Sequence, residues 1–395
     1  MMCRHSVVTT VLSPLLVLFL ITAPVIYADD EFDTCSAEEA CESEVRVPKC
    51  PPTVGTKKLY EDDSSVVWDF VLPAGERLPP HEHMYDYRFT VIEGSRLAAT
   101  SAETGEELFQ FDAPTGATMA FVRKGELMHD TSGAIPAFDS THGVKNVGNT
   151  TYREIIFETK PCETGLGDGR SAQRYDSERV RRVQLYEFQE EKQSGAVQIL
   201  LNHAKILESR AGGRATSLFG SCANAAVEKK LAKEKTHAMV TDFESVIQMR
   251  ETMEDSQVVS DLSAIPSIVF DFHPNLVKLA KRNGAGSLKH VVFIKFKTES
   301  PVGDLIAGYI DLPNHIDQMK GFEWGPFANG FNTNGPGSDI EAETRGGFEY
   351  VFITTFDTAT DRDAYLVHNA HEKYVKQLVP NVEDFMVMDF VAFAN

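Results

Sequence analysis

The chain has 395 residues, enough for two or three domains. Its 38 Lys and Arg against 58 Asp and Glu give a net charge of -20, which excludes a nucleic-acid partner; the acidic surface itself signals solubility and nothing more specific. In chain order, Arg4 and His5 precede an apolar run, Val7 to Ala23, broken only by Ser, Thr and Pro14 and followed by IYADD, with Ala28 as the small residue before a cleavage point. This predicts a secretory signal peptide over residues 1–28, with an uncleaved anchor as the alternative because the run is at the short limit for a span. No other segment is apolar enough to cross a membrane, so the mature chain is expected in the secretory pathway or outside the cell, without a membrane partner. Residues 29–50 read as a flexible acidic segment. Removing the leader leaves Cys35, Cys41, Cys50, Cys162 and Cys222. Cys50 and Cys162 bracket the next domain and suit a bridge in an oxidising compartment, Cys35 and Cys41 could close a small loop, and Cys222 is left as a buried free thiol. Asn149-Thr150-Thr151 is compatible with glycosylation.

Residues 51–162 carry six short alternating runs, VVWDFVL, YRFTVIEG, RLAATSA, ELFQFDA, TMAFVRK and REIIFET, separated by Gly and Pro. They predict an all-β sandwich or barrel. Within it, PPHEHMYDYRFTVIEG places His81 and His83 two residues apart, so on an extended strand both imidazoles point the same way, as two ligands of one metal must. Downstream, THGVKNVGN supplies His142 and then Asn146. The His-x-His, the glycine eleven residues after its second His (Gly94) and the later His-x-x-x-Asn resemble the two motifs of the cupin family. That resemblance implies a double-stranded β-helix barrel in which His81, His83 and His142 bind a metal. The fourth ligand, usually Glu, is replaced: Tyr87 stands seven residues before Gly94, while strand alternation aims Glu82 and Asp86 away. A three-imidazole site completed by water or Tyr87 suits zinc, iron, manganese or copper. His129 is assigned to solvent, in an inserted loop.

After a Gly-rich, charged linker (163–180), two related segments follow, 181–284 and 285–395. In the second, HVVFIKFK, GFEWGPF, FEYVFITTF and DFMVMDF are strands and a helix runs from about Ala370 to before Pro380. Phe348, Tyr350, Phe352 and Phe356 form one side of their strand and Val351 and Ile353 the other; both sides are apolar, so both faces should be covered. The order strand, helix, strand, strand, helix, strand, with HVVFIKFK, GFEWGP, DRDAYLVHNAH and MDF, resembles the stress-responsive α/β barrel (Dabb) family over about His290 to Phe390. The family implies ferredoxin-like units that pair sheet against sheet. The first segment looks like a weaker copy: RVQLYEFQ lies on HVVFIKFK, Phe219-Gly220 on Trp324-Gly325, and Phe243 on Phe356 at a constant offset of 113. Two copies in one chain could cover each other as an internal pseudo-dimer. At that offset Thr252 and Val258 replace Tyr365 and His371, so the first copy reads as structural.

On an unbroken helix Tyr365 and His371, six residues apart, would diverge by about 120°. They converge if the chain turns between them, with Asn369 capping a new helix and His371 in its first turn, where the helix N-terminus favours the neutral imidazole. Enzymes of the resembled family close polyketide chains by an aldol-type condensation, which implies His371 as the general base and Tyr365 as donor to the substrate carbonyl, with no cofactor for that step. The same resemblance assigns His290 and Tyr350 to the substrate pocket. Two functions fit: a lyase or cyclase acting on a small organic molecule, with a metal centre in the N-terminal barrel, or a stress-related protein that binds a ligand without transforming it.

Overall fold

The computed structural model describes residues 53–160, 179–254, 268–281, 284–328 and 345–394. The leader, the acidic segment, Cys35, Cys41, Cys50, Cys162, Val258 and nearly all of the linker lie outside the described residues. No helix among the described residues is long and apolar enough to cross a membrane.

The N-terminal unit has eleven strands: β1 (Lys57–Glu61), β2 (Ser65–Leu72), β3 (Arg77–Glu82), β4 (Asp86–Glu93), β5 (Ser95–Ser101), β6 (Glu107–Ala113), β7 (Thr118–Lys124), β8 (Leu127–Asp130), β9 (Phe138–Asp139), β10 (Thr141–Asn146) and β11 (Tyr152–Thr159). They make a seven-stranded sheet, β1-β2-β11-β4-β7-β8-β9, and a four-stranded sheet, β3-β10-β5-β6. Phe70, Tyr87, Phe89 and Ile156 of the first sheet meet Leu97, with Leu78 and Phe109, of the second. The opposite face of the large sheet, with Val67, Ile155 and Phe157, packs on Ile306 and Trp324 of the C-terminal segment, so this sheet is covered on both sides. The strands that the sequence pattern missed are short or proline-bearing. His129 sits in one of them, β8, and is half-buried instead of in a solvent-exposed loop, because four residues are too few to show an alternation. Gly94 is required by close approach: a Cβ there would lie 2.6 Å from the backbone nitrogen of Thr115.

Two segments of like order follow. The first holds β12 (Val180–Tyr186), α1 (Glu190–Arg210), β13 (Thr216–Ser221), β14 (His237–Phe243), α2 (Val246–Glu254) and β15 (Ile268–Phe272). After β16 (Asn275–Lys278), the second holds β17 (Leu288–Phe296), α3 (Val302–Asp311), β18 (Gly321–Pro326), β19 (Tyr350–Phe356), α4 (Ala359–Leu366), α5 (Asn369–Leu378), β20 (Val382–Val391) and β21 (Phe393–Ala394). The sheets run β15-β12-β14-β13-β21 and β16-β18-β19-β17-β20. In each, the segment's first strand lies between its third and fourth, the ferredoxin-like order. The register repeats as well: Phe219 faces Met239, and Trp324 faces Phe352, 113 residues beyond Met239.

Each sheet accepts an edge strand from the other segment. β16 follows β15 and pairs with β18, while β21 follows β20 and pairs with β13. The two glycines that match in sequence sit at these crossings: a Cβ on Gly325 would strike Phe272 and His273, and one on Gly220 would strike Val391 and Phe390. Between the sheets one core joins Val183, Val240 and Phe270 to Val291, Phe293 and Ile353. Phe348 belongs to this core and not to the side of Phe352 and Phe356, because the strand begins only at Tyr350, after two glycines of positive φ. Phe293 is fully buried there, and Phe293→Ala is expected to cost about 3–5 kcal/mol in urea unfolding, from lost burial plus the cavity left behind. Cys222 is a free thiol, half-buried where full burial was expected, and its Sγ donates to Asn224 Oδ1 at 3.2 Å.

Candidate functional site

Two clusters of polar side chains are built into this frame. The first rises from the pairing of β3 with β10, which sets His142 opposite His81, with His83 just beyond the end of β3. One ring nitrogen from each of the three lies within 4.8 Å of the others, and the Nε2 atoms of His81 and His83 are 3.3 Å apart. His81 Nδ1 lies 3.2 Å from the Pro79 carbonyl and His142 Nδ1 lies 3.1 Å from that of Asp139. A proton on each Nδ1 would satisfy those carbonyls and leave Nε2 a bare lone pair. Burial pushes His81 and His83 down to about 3, with the His83 charge adding to the effect on His81, and drives His142 well below the usual histidine range. All three are therefore neutral donors at pH 7. His83 Nδ1 is buried with no hydrogen-bond partner among the described residues, and Glu158 Oε1 stands 3.8 Å away. This donor set fits a borderline transition metal, whose binding needs deprotonated imidazoles.

Tyr87 lies against the cluster, its ring stacked on His83 at 4.0 Å and 14°; burial holds its phenol protonated. Beside the histidines lies a cavity of about 60 Å³, lined by Phe70, Phe89, Phe109 and Phe138 and by Glu154. Glu82 and Asp86 point away, to Arg123: Nη2 donates to Glu82 at 3.0 Å and the backbone N–H to Asp86 at 2.8 Å. Asn146 ties the end of β10 to β2 and to the turn before β11 by donating to the carbonyls of Leu72 and Thr150, both at 2.8 Å.

The sequence reading passed over Glu154 and Glu158. Both lie on β11, on the face of Ile156, and burial raises them to about 8 and about 7. Tyr152 donates to Glu154, and Trp68 Nε1 donates to Glu158 at 2.9 Å. The signal was present in REIIFET, where two carboxylates alternate with an inward Ile.

The second cluster lies in the C-terminal segment, between sheet and helices. The chain does turn between Tyr365 and His371: α4 ends at Leu366 and α5 starts at Asn369. The cap is His368, whose Nδ1 accepts from the Ala370 N–H at 3.2 Å, in place of the expected Asn369. Asn369 is instead the first helical residue, because the turn closes one position earlier. The rings of Tyr365 and His371 come to 4.2 Å. His371 Nδ1 lies 3.1 Å from the Leu366 carbonyl, which fixes the proton there and leaves Nε2 as acceptor. Burial lowers His371 to about 4 and holds the Tyr365 phenol far above its ordinary range.

His290, on β17, joins them, its ring 5.6 Å from that of Tyr365. Its Nδ1 is 2.6 Å from Asp389 Oδ1, and Asp389 is also ion-paired to Arg362. Tyr350 is not brought in. It pairs with Ile294 while His290 pairs with Thr354, four positions or roughly 13 Å along the strand, and it packs on Phe296 at 5.4 Å. In the first segment the buried Thr252 takes the position of Tyr365, and an ion pair, Arg182 to Asp271 at 2.7 Å, takes the register of His290 and Asp389.

His371 should stay neutral down to about pH 4, which histidine resonances followed by NMR would report. Its folded value lies below the unfolded one, so as pH falls from about 6.5 to about 4 the unfolded chain takes up a proton that the fold refuses, and stability drops over that window. Any reaction that uses its lone pair should lose rate as pH falls through about 4 and be flat near neutrality.

The family model described as the Stress Responsive A/B Barrel Domain matches residues 288–392, which span β17 to β20. The C-terminal segment matches that family model over those residues. It is similar to the stress-response A/B barrel domain-containing protein HS1 of Arabidopsis thaliana, 28% identical over 109 residues that cover 27% of this chain and 89% of the relative. Among solved structures, a hydroxynitrile lyase from Passiflora edulis aligns at 23% identity over 27% of this chain and 92% of its own, with a TM-score of 0.23. A cupin domain from Bordetella pertussis aligns at 14% identity over 29% of this chain and 93% of its own, with a TM-score of 0.21. Tyr365, His371, His290, Asp389 and Arg362 all lie within the matched residues.

Proposed function

We propose that the chain is an enzyme of lyase or cyclase type that processes a small organic molecule in the helix-side pocket of its A/B barrel domain. The observation that carries this is the Tyr365 and His371 pair, with the imidazole proton anchored on Leu366 and Nε2 left as the acceptor. His371 Nε2 takes a proton from the carbon beside a carbonyl. The electron pair moves onto the carbonyl oxygen, which the protonated Tyr365 hydroxyl stabilises by donating to it. His290, held by Asp389, stands beside Tyr365. Offering the purified chain a panel of β-keto compounds, lactones and cyanohydrins tests the reading. Consumption of at least one is expected; no consumption would leave ligand binding alone.

The N-terminal unit is proposed as a cupin barrel in which His81, His83 and His142 hold zinc, iron, manganese or copper. Such an ion would supply Lewis acidity at the floor of an aromatic cavity. There the chain's own groups orient two of the donors through the carbonyls of Pro79 and Asp139 and exclude water with phenyl rings. The two ferredoxin-like segments are proposed to act as an internal pseudo-dimer, since their sheets share one core and exchange edge strands. The Val7 to Ala23 run supports delivery to the secretory pathway.

A further inference from the structure

The loop between β13 and β14 belongs to the first segment, yet its residues Ala223 and Asn224 bond to the second. The Ala223 N–H donates to the Asp389 carbonyl at 2.7 Å and the Ala223 carbonyl accepts from Arg362 Nη1 at 3.2 Å. Asn224 donates to the Val387 carbonyl at 3.0 Å and accepts from the Asp389 N–H at 2.8 Å. The start of the loop is thereby clamped to β20, beside His290, and four residues past Asn224 stands Glu228. One carboxylate oxygen of Glu228, Oε2, is buried without a hydrogen-bond partner among the described residues. Glu228, His290 and Asp389 each offer an atom within 4.8 Å of the other two.

Charge does not balance in this cluster. Two carboxylates, Glu228 and Asp389, face one guanidinium, and Arg362 is bound to Asp389. His290 is kept neutral by burial. A buried carboxylate oxygen without a donor is costly to maintain, so a donor supplied by a ligand would be held strongly. A divalent metal is the poorer candidate. Asp389 Oδ1 is already bound to His290 and Oδ2 to Arg362, whose charge would repel a second cation from that side.

We propose that Glu228, lent by the first segment, is the recognition carboxylate for a protonated primary amine on the molecule that enters the A/B barrel pocket. The substrate class narrows to small carbonyl compounds that carry an ammonium group. The first segment then supplies part of the site, and a C-terminal domain alone lacks the selectivity. The inference rests on the pocket reading but not on the proton transfer assigned to His371.

Calorimetric titration of the full chain with benzylammonium chloride and with benzyl alcohol, a neutral probe of similar size, tests it. The ammonium probe is expected to bind roughly tenfold or more tightly than the alcohol, as an ionic hydrogen bond implies. Glu228→Gln should erase the preference while raising or preserving the melting temperature, because it removes an uncompensated charge. His371→Ala should keep the preference, so loss of turnover and loss of recognition separate. Equal or undetectable binding of the two probes by the wild type would overturn the proposal. So would a preference that survives Glu228→Gln, or a zinc titration that loses one equivalent in that variant, which would make the triad a metal site.

Discussion

His371→Ala is expected to lower kcat by about 10²- to 10⁴-fold, the usual contribution of a positioned general base, while leaving the fold intact. The separation follows from where the side chain sits. His371 is half-buried at the start of α5, and its one recorded hydrogen bond runs from Nδ1 to the Leu366 carbonyl. Losing a bond of that kind costs roughly 0.5–1.5 kcal/mol, which urea unfolding would register as a small shift. The rate loss is much larger because Nε2 is the only arm of the ring left free for the substrate. Tyr365→Phe is the companion variant. It preserves the fully buried ring, which packs beside Phe356 and His290, and deletes only the hydroxyl. A donor to a developing oxyanion is worth about 10²- to 10³-fold in kcat, so Tyr365→Phe should approach His371→Ala in rate. If no compound is turned over and His371→Ala changes only ligand affinity, the pocket binds without reacting.

The second large effect belongs to the N-terminal unit. A strong chelator is expected to lower the melting temperature of protein purified from metal-replete cells, and His142→Ala is expected to melt at the chelated value whether chelator is present or not. Binding to the folded chain alone adds about 4 kcal/mol when free metal exceeds Kd a thousandfold, and a site reduced to two imidazoles forfeits most of it. His142 is the informative position because it comes from β10 while His81 and His83 come from the β3 end, so its removal breaks the cross-strand closure. Elemental analysis of the same samples gives the stoichiometry. A chelator without effect on the wild type would remove the metal from the account.

The three imidazoles were legible because a period of two on one strand and a single His on another need only the strand pairing to meet, and β3 and β10 pair with His81 opposite His142. The duplicated order was legible for a related reason. The offset of Phe243 from Phe356 reappears as equivalent facing pairs, so the pattern reports register directly. Tyr350 shows where the reading fails. Its place in the pocket was inferred by resemblance, and register carries it four residues away from His290. The edge exchange of β16 and β21 was hidden because two- and four-residue strands leave no periodic trace; only Gly220 and Gly325 hint at the close crossings. The Arg182 and Asp271 pair left no trace in the sequence, since two charges 89 residues apart show their pairing only once β12 and β15 are in register.

Removal of a proton from carbon leaves a mark that does not depend on what the enolate becomes next. Deuterium incorporation beside the carbonyl, followed by NMR in D₂O for a set of neutral and amine-bearing methyl ketones, therefore tests the assignment of His371 most directly. The wild type should accelerate exchange of at least one ketone over the His371→Ala protein by the same 10²- to 10⁴-fold expected for turnover. Exchange that proceeds equally in both proteins across the set would contradict it.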